Sequence, residues 1–323
     1  MPFNKRIFIA CMTRAAVVTA FFAVHIVAVR APAQAQVSDL IPDAALVGAP
    51  DVTPVAAPAA TPNPMPAVVL PEARQPSADL FKPAAPTSSP QVACSAPAEL
   101  THFDRPLLHT MQWIASGKPL TIVAIGSSST AGAGASSPAA TYPSRLAAAL
   151  KARFPGHVIT VLNRGVNGQE TDDMMARFST DVIAARPQLV LWQVGTNSVL
   201  RDHPLSPHSV ELHQGIEQLK ATGADVVLID PQYAPKVLAK AETPGMVEQI
   251  ALAAKEENVD LFRRFAVMRD WYEVQHLGFD VFVSPDKLHM NDWGYACWAK
   301  LIGAAIGEAA TRPVASAAAH PAH

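Results

Sequence analysis

From residue 119 onward the chain alternates short, continuously apolar runs with longer segments that mix apolar and polar positions. Residues 119–125 (PLTIVAI), 157–162, 188–194 (QLVLWQV), 225–229 (DVVLI) and 259–261 read as five strands. A strand without polar alternation is buried on both faces, as in a parallel sheet covered by helices. The segments 142–153, 172–185, 208–222, 245–257, 263–275 and 291–308 read as helices, and a further one, 101–116, precedes the first strand. This alternation predicts a three-layer α/β/α sandwich around a mostly parallel five-stranded sheet. Ligands of such sheets sit at the carboxyl ends of the strands, so the loops after the apolar runs are where chemistry is expected.

Composition divides the 323 residues unevenly. Lys5, Arg6 and Arg14 come before or at the edge of an apolar run at 15–29, which Thr19 and His25 interrupt, and Ala33-Gln34-Ala35 follows. A basic start, a short apolar run and an A-x-A site make a secretory signal, residues 1–35, cleaved after Ala35. The other reading is an uncleaved anchor bracketed by Arg14 and Arg30, although a spanning helix needs about 20 apolar residues. Residues 36–100 hold 13 of the 29 prolines. That density rules out a helix or a central strand and predicts a disordered Pro/Ala-rich linker. The folded domain is then 101–310, and 311–323 is a low-complexity tail.

Cleavage removes four cations and no acid, taking the formal net charge from −2 to −6. A mildly acidic domain without a Lys/Arg stripe argues against a nucleic-acid partner. Export implies a periplasmic or secreted protein, with no stable membrane insertion after cleavage. Cys94 and Cys297 remain, and in an oxidising compartment they either pair or stay as two thiols.

Four loops carry candidate chemistry. Gly126-Ser127-Ser128-Ser129-Thr130 follows the first strand. A serine at a tight strand-to-loop turn presents its hydroxyl where a base can reach it; the plain alternative is a Ser/Gly-rich loop. A phosphate loop does not fit, because no lysine stands between Lys118 and Lys151. Asp286-Lys287-Leu288-His289 precedes the last helix. A hydroxyl needs a general base at neutral pH, histidine supplies one, and a carboxylate three residues away can orient the ring. Gly195-Thr196-Asn197-Ser198 follows the third strand and Gly165-Val166-Asn167-Gly168 the second. The Asn197 amide and the Gly168 N–H are candidate donors to an oxyanion; taken singly, each loop also reads as an ordinary Asn or Gly turn.

In the order Ser, Gly, Asn, Asp–His, these blocks resemble the SGNH, or GDSL-type, hydrolase superfamily over roughly 120–306. The resemblance implies a flavodoxin-like fold and a serine esterase. It puts the nucleophile on Ser128, the oxyanion donors on the N–H groups of Ser128 and Gly168 and the side chain of Asn197, and the remaining triad members on Asp286 and His289. It implies two-step acyl transfer with no cofactor and no metal. Two positions depart from the family pattern: Ser127 and Ser198 stand where it has aspartates. An α/β-hydrolase is disfavoured, since a G-x-S-x-G would need glycine where Thr130 stands.

The expected substrate is a small ester or an acylated glycan, with O-acetyl groups of a polysaccharide favoured by export and by the lack of an apolar lid segment. A lipid esterase or thioesterase is the alternative within the class; a non-catalytic glycan-binding module or an acyltransferase on the same fold is the alternative outside it. Tyr233, after the fourth strand, is a candidate pocket wall or a structural loop residue. Trp293 is a candidate wall or packs the last helix onto the sheet. His203, His208 and His213 share no helical face and are expected to be solvated.

Overall fold

A computed structural model describes residues 92–313. The expected signal, the uncleaved-anchor alternative, most of the linker and the end of the tail lie outside these residues. Five strands, β1 (Leu120–Gly126), β2 (Ile159–Gly165), β3 (Leu189–Gln193), β4 (Asp225–Ile229) and β5 (Asp260–Phe262), form one all-parallel sheet in the order β2-β1-β3-β4-β5. The predicted three-layer α/β/α sandwich is what the chain adopts.

The helices are α1 (Ala98–Thr101), α2 (Leu108–Ala115), α3 (Ser128–Ala131), α4 (Tyr142–Arg153), α5 (Thr171–Ala176), α6 (Phe178–Asp181) and α7 (Thr196–Leu200). They continue with α8 (Leu205–Lys220), α9 (Pro235–Leu238), α10 (Thr243–Glu256), α11 (Arg264–Glu273), α12 (Phe279–Phe282) and α13 (Asp292–Ala309). Successive residues of each strand feed opposite faces. Ile122, Ala124, Leu189, Leu191, Val227 and Ile229 pack with Tyr142 and Leu146 of α4 and Trp298 and Ile302 of α13. Val123, Ile125, Val190, Trp192, Val226 and Leu228 pack with Leu212 and Ile216 of α8 and Met246 and Ile250 of α10. Both faces are dry, which is why the strands read as unbroken apolar runs. No helix among the described residues is long and apolar enough to cross a membrane.

Four boundaries differ from the expectation. Of the helix predicted over 101–116 only Leu108–Ala115 is helical, and α1 ends at Thr101, because Pro106 has no N–H and disfavours a helical residue before it. The helix predicted over 172–185 breaks at Arg177, whose guanidinium turns inward to Gln169, Asp181 and the carbonyl of Gly126. The fold also begins before residue 101. Cys94 is disulfide-bonded to Cys297 of α13, their Cα atoms 5.3 Å apart. Trp271 and Trp293 donate from Nε1 to the carbonyls of Ser95 and Val92, at 2.9 and 3.2 Å. The residues from 92 to 100 therefore belong to the domain and not to the linker. At the other end Arg312, placed in the tail by its composition, donates to the carbonyl of Phe103 at 2.7 Å and to Glu308.

Candidate active site

Ser128 is the first residue of α3, one residue beyond the turn that ends β1. Two glycines let this short helix lie against the sheet. A Cβ on Gly165 would stand 2.0 Å from the backbone nitrogen of Ala131, and one on Gly126 would stand 2.3 Å from Thr130 Oγ1. Neither approach leaves room for a side chain.

His289 arrives from the loop before α13. Its Nε2 lies 2.8 Å from Ser128 Oγ, and its Nδ1 lies 2.5 Å from Asp286 Oδ2. Asp286 Oδ1 accepts from Ser284 Oγ at 2.7 Å and from the backbone N–H groups of Leu288 and His289, each at 2.9 Å. Burial raises the Asp286 carboxyl, but the hydrogen bonds from His289, Ser284 and the two N–H groups outweigh it and hold the group well below the usual carboxylate range. An ionised Asp286 can only accept, so Nδ1 of His289 carries the proton and Nε2 is free to take the one on Ser128. Lys287, between them, sits at φ +62°, a conformation that side chains disfavour and that closes this turn.

The serine and histidine loops are tied together. Ser136 donates from its backbone nitrogen and its hydroxyl to the two oxygens of Asp292, at 2.8 and 2.5 Å. Tyr295 Oη donates to the carbonyl of Ala133 at 2.7 Å. Gly134 lies so close that a Cβ would be 2.4 Å from the carbonyl oxygen of Met290.

Gly168 and Asn197 come to the same end of the sheet. Gly168 has φ +78°, and Arg201 Nη2 donates to its carbonyl at 2.8 Å. Asn197 Nδ2 donates to the next carbonyl, that of Gln169, at 2.7 Å and keeps a second hydrogen. Among the described residues the N–H groups of Ser128 and Gly168 have no hydrogen-bond partner. The N–H groups of Ser128 and Gly168 and the second hydrogen of Asn197 Nδ2 are thus donors left without partners in the loops that follow β1, β2 and β3.

The two departures from the family pattern have partners that the sequence did not reveal. Ser127 donates from N and Oγ to Oε1 of Gln193, at 3.0 and 3.1 Å, and Thr130 Oγ1 joins the same oxygen at 3.2 Å. Gln193 is fully buried at the end of β3. On the other loop, Glu170 receives Arg201 and the imidazole of His203. Burial raises this carboxyl, while hydrogen bonds from Ser198, Arg201 and His203 carry it below its ordinary value. Gln193 read as part of an apolar strand, and Glu170 as an ordinary surface acid; only strand register and loop folding bring them to Ser127 and Ser198.

Other expectations come out differently. Tyr233 is buried, donates to Glu273 at 2.8 Å and packs among Phe265, Tyr272 and Phe279, so the structural alternative describes it. Trp293 packs edge-on against Trp271 and donates to the carbonyl of Val92, in the segment carrying Cys94. His208 is buried rather than solvated, with Nε2 2.9 Å from Thr171 Oγ1. His213 is half-buried and pairs with Glu257 at 3.0 Å; His203 is exposed but bound to Glu170.

The sheet order and the succession of these loops are those of the SGNH/GDSL-like fold. A model of the non-GDSL lipase-like family matches residues 93–312, and the chain belongs to this family. The sequence after β1, Gly126-Ser127-Ser128-Ser129, lacks the aspartate and leucine of the GDSL pattern. An acetylxylan esterase of Geobacillus stearothermophilus is 34% identical over 87 residues, which are 27% of this chain and 39% of that protein. Among solved structures, a variant of an acetyl xylan esterase from Geobacillus stearothermophilus superposes with a TM-score of 0.51 at 23% identity, covering 58% of this chain and 94% of that one. A two-domain esterase active on acetylated mannans gives 0.58 at 21% identity, covering 69% and 60%. At these identities the structural likeness is one of fold.

Proposed function

We propose that the protein is an exported serine esterase that removes O-acetyl groups from a polysaccharide, with Ser128, His289 and Asp286 as its triad. The observation that carries this reading is the continuous chain from Ser128 Oγ through His289 to Asp286, at 2.8 and 2.5 Å. Such spacing lets His289 Nε2 accept the hydroxyl proton as Oγ bonds to the ester carbonyl carbon. The carbonyl electron pair moves onto oxygen, where the N–H groups of Ser128 and Gly168 and the free hydrogen of Asn197 Nδ2 stabilise it. Collapse expels the alcohol, which takes its proton from His289. Water then gives a proton to His289 as it attacks the acyl-enzyme carbonyl, and collapse of the second intermediate releases the acid as Ser128 Oγ takes that proton back from His289.

The glycan part rests on the esterases of acetylated xylan and mannan to which the chain is similar and on the expected export signal. Acetyl esters on polar alcohols also suit a serine partly exposed at the carboxyl end of β1. The experiment compares acetate release from acetylated xylan and mannan with turnover of long-chain lipid esters and thioesters. Acetate release faster than the other reactions supports the glycan reading; preference for long acyl chains overturns it.

A further inference from the structure

The Asp230-Pro231-Gln232-Tyr233 segment after β4 was expected to contribute Tyr233, but its chemistry lies in Gln232. This side chain is fully buried. Its Oε1 accepts from Thr196 Oγ1 at 3.1 Å and from Arg264 Nη2 at 3.0 Å. Two donors on one oxygen fix which way the amide points. The Nε2 end therefore faces the carbonyl of Leu288, to which it donates at 3.2 Å.

The Leu288 carbonyl belongs to the peptide whose N–H is that of His289. That N–H donates to Asp286 Oδ1 at 2.9 Å. The peptide leading into His289 is thus gripped at both ends, by Asp286 on the N–H and by Gln232 on the carbonyl. The same amide oxygen reaches Thr196, the neighbour of Asn197, and Gln193 Nε2 approaches Thr196 Oγ1 at 3.5 Å while its Oε1 holds Ser127. Gln232 links the histidine loop to the two strand ends that carry Ser128 and Asn197. Arg264, which holds the amide, is buried beneath it, fixed through Nε to the carbonyl of Asp230 at 2.9 Å and lying 4.9 Å over the Trp298 ring.

We propose that Gln232 is a positioning residue for the esterase reaction: its amide sets the His289 peptide, and hence the imidazole, in register with Ser128. This inference rests on the triad reading above. It differs from a packing role because only the Nε2 donor reaches the histidine loop. Misplacement of a base by about 1 Å is enough to cost about 100-fold in rate.

The test uses two variants of the full chain. Gln232→Glu keeps an oxygen for Thr196 and Arg264 but sets a second oxygen, not an N–H, against the Leu288 carbonyl. Gln232→Met keeps the volume and removes both ends. With a short aryl acetate as substrate, the expected result for each folded variant is a kcat lower by about 10- to 100-fold with KM within about threefold of wild type. A lower melting temperature is expected for both variants, since each leaves buried polar groups unsatisfied, so kcat and KM are compared well below the onset of unfolding. Wild-type kcat in either folded variant overturns the proposal, and so does a lowered melting temperature with kcat and KM unchanged. Failure of both variants to fold also overturns it, because the amide is then a fold-forming group. Ser128→Ala measured in parallel separates the two levels. If that variant keeps turnover, the triad reading itself fails; if it is inactive while the Gln232 variants are unaffected, only the positioning role fails.

Discussion

The backbone N–H and the hydroxyl of Ser127 converge on one oxygen, Oε1 of Gln193, across the boundary between β1 and β3. Ser127 occupies the position where the family pattern has aspartate, and a serine there cannot accept as a carboxylate does. Gln193 supplies the acceptor from the neighbouring strand and so braces the turn that presents Ser128.

Replacing Gln193 with methionine keeps the volume but leaves these donors buried without an acceptor. Each unsatisfied buried group costs about 1–3 kcal/mol. At about 2–4 °C per kcal/mol for a domain of this size, calorimetry should show the melting temperature falling by roughly 4 °C or more. An unchanged melting temperature means the brace contributes nothing to stability.

Asn197 tests the oxyanion donors. Asn197→Ala removes the Nδ2 hydrogens, and loss of one such donor typically lowers turnover by about 10²–10³-fold. The expected result is that loss in kcat for an aryl acetate, with the far-ultraviolet circular dichroism of wild type. A loss smaller than about tenfold is inconsistent with a donor to the oxyanion.

The Cys94–Cys297 bridge closes a sequence separation of 203 residues. It ties the entry segment to α13 without touching Ser128, so its removal should cost stability and leave turnover at 25 °C intact. Loss of a native disulfide costs about 2–5 kcal/mol, or roughly 4–20 °C here. Differential scanning calorimetry and aryl acetate assays of Cys94→Ser/Cys297→Ser check both halves.

His208 gives the domain an acid-sensitive element. Burial pushes its imidazole from the usual 6.5 down to about 4, against the raising influence of Gln249 and the Glu170 carboxylate. Between these values the unfolded chain binds a proton that the folded chain refuses, so stability falls as pH drops from 6.5 to 4. The slope approaches about 1.4 kcal/mol per pH unit. Asp230, raised to about 7 by burial against the Phe265 N–H and the Arg264 charge, works in the opposite sense, with stability falling as pH rises from 3.8 to 7. His208→Asn leaves that contribution in place. The difference in unfolding free energy between variant and wild type should therefore shift in the variant's favour as pH falls from 6.5 to 4; a pH-independent difference contradicts the buried neutral imidazole.

The sheet was legible because burial on both faces writes itself as runs such as LVLW in β3, which no other arrangement uses so economically. The meeting of Ser128, Asp286 and His289 was expected from the order of the blocks, and their hydrogen bonds bring these three together; Gly168 and Asn197 stand in the loops after β2 and β3. Gln193, Gln232, Arg264 and Glu170 were not legible. Each is a polar residue with a partner 31 to 66 positions away, and only strand register and loop folding decide those pairings. The break at Arg177 was hidden for a similar reason: its side chain leaves a good helix to reach Gly126 and Gln169. Pro106 and Cys94 carried signals of their own, a helix stop and a covalent tether, that a compositional boundary at residue 100 overrode.

The central claim is that Ser128 is the nucleophile activated by His289. The most direct test is the hydrolysis rate of a short-chain aryl acetate by Ser128→Ala beside wild type, with both proteins shown to be folded. Turnover by the wild type and its loss to background in the variant is the predicted result; a Ser128→Ala rate equal to that of wild type contradicts the assignment.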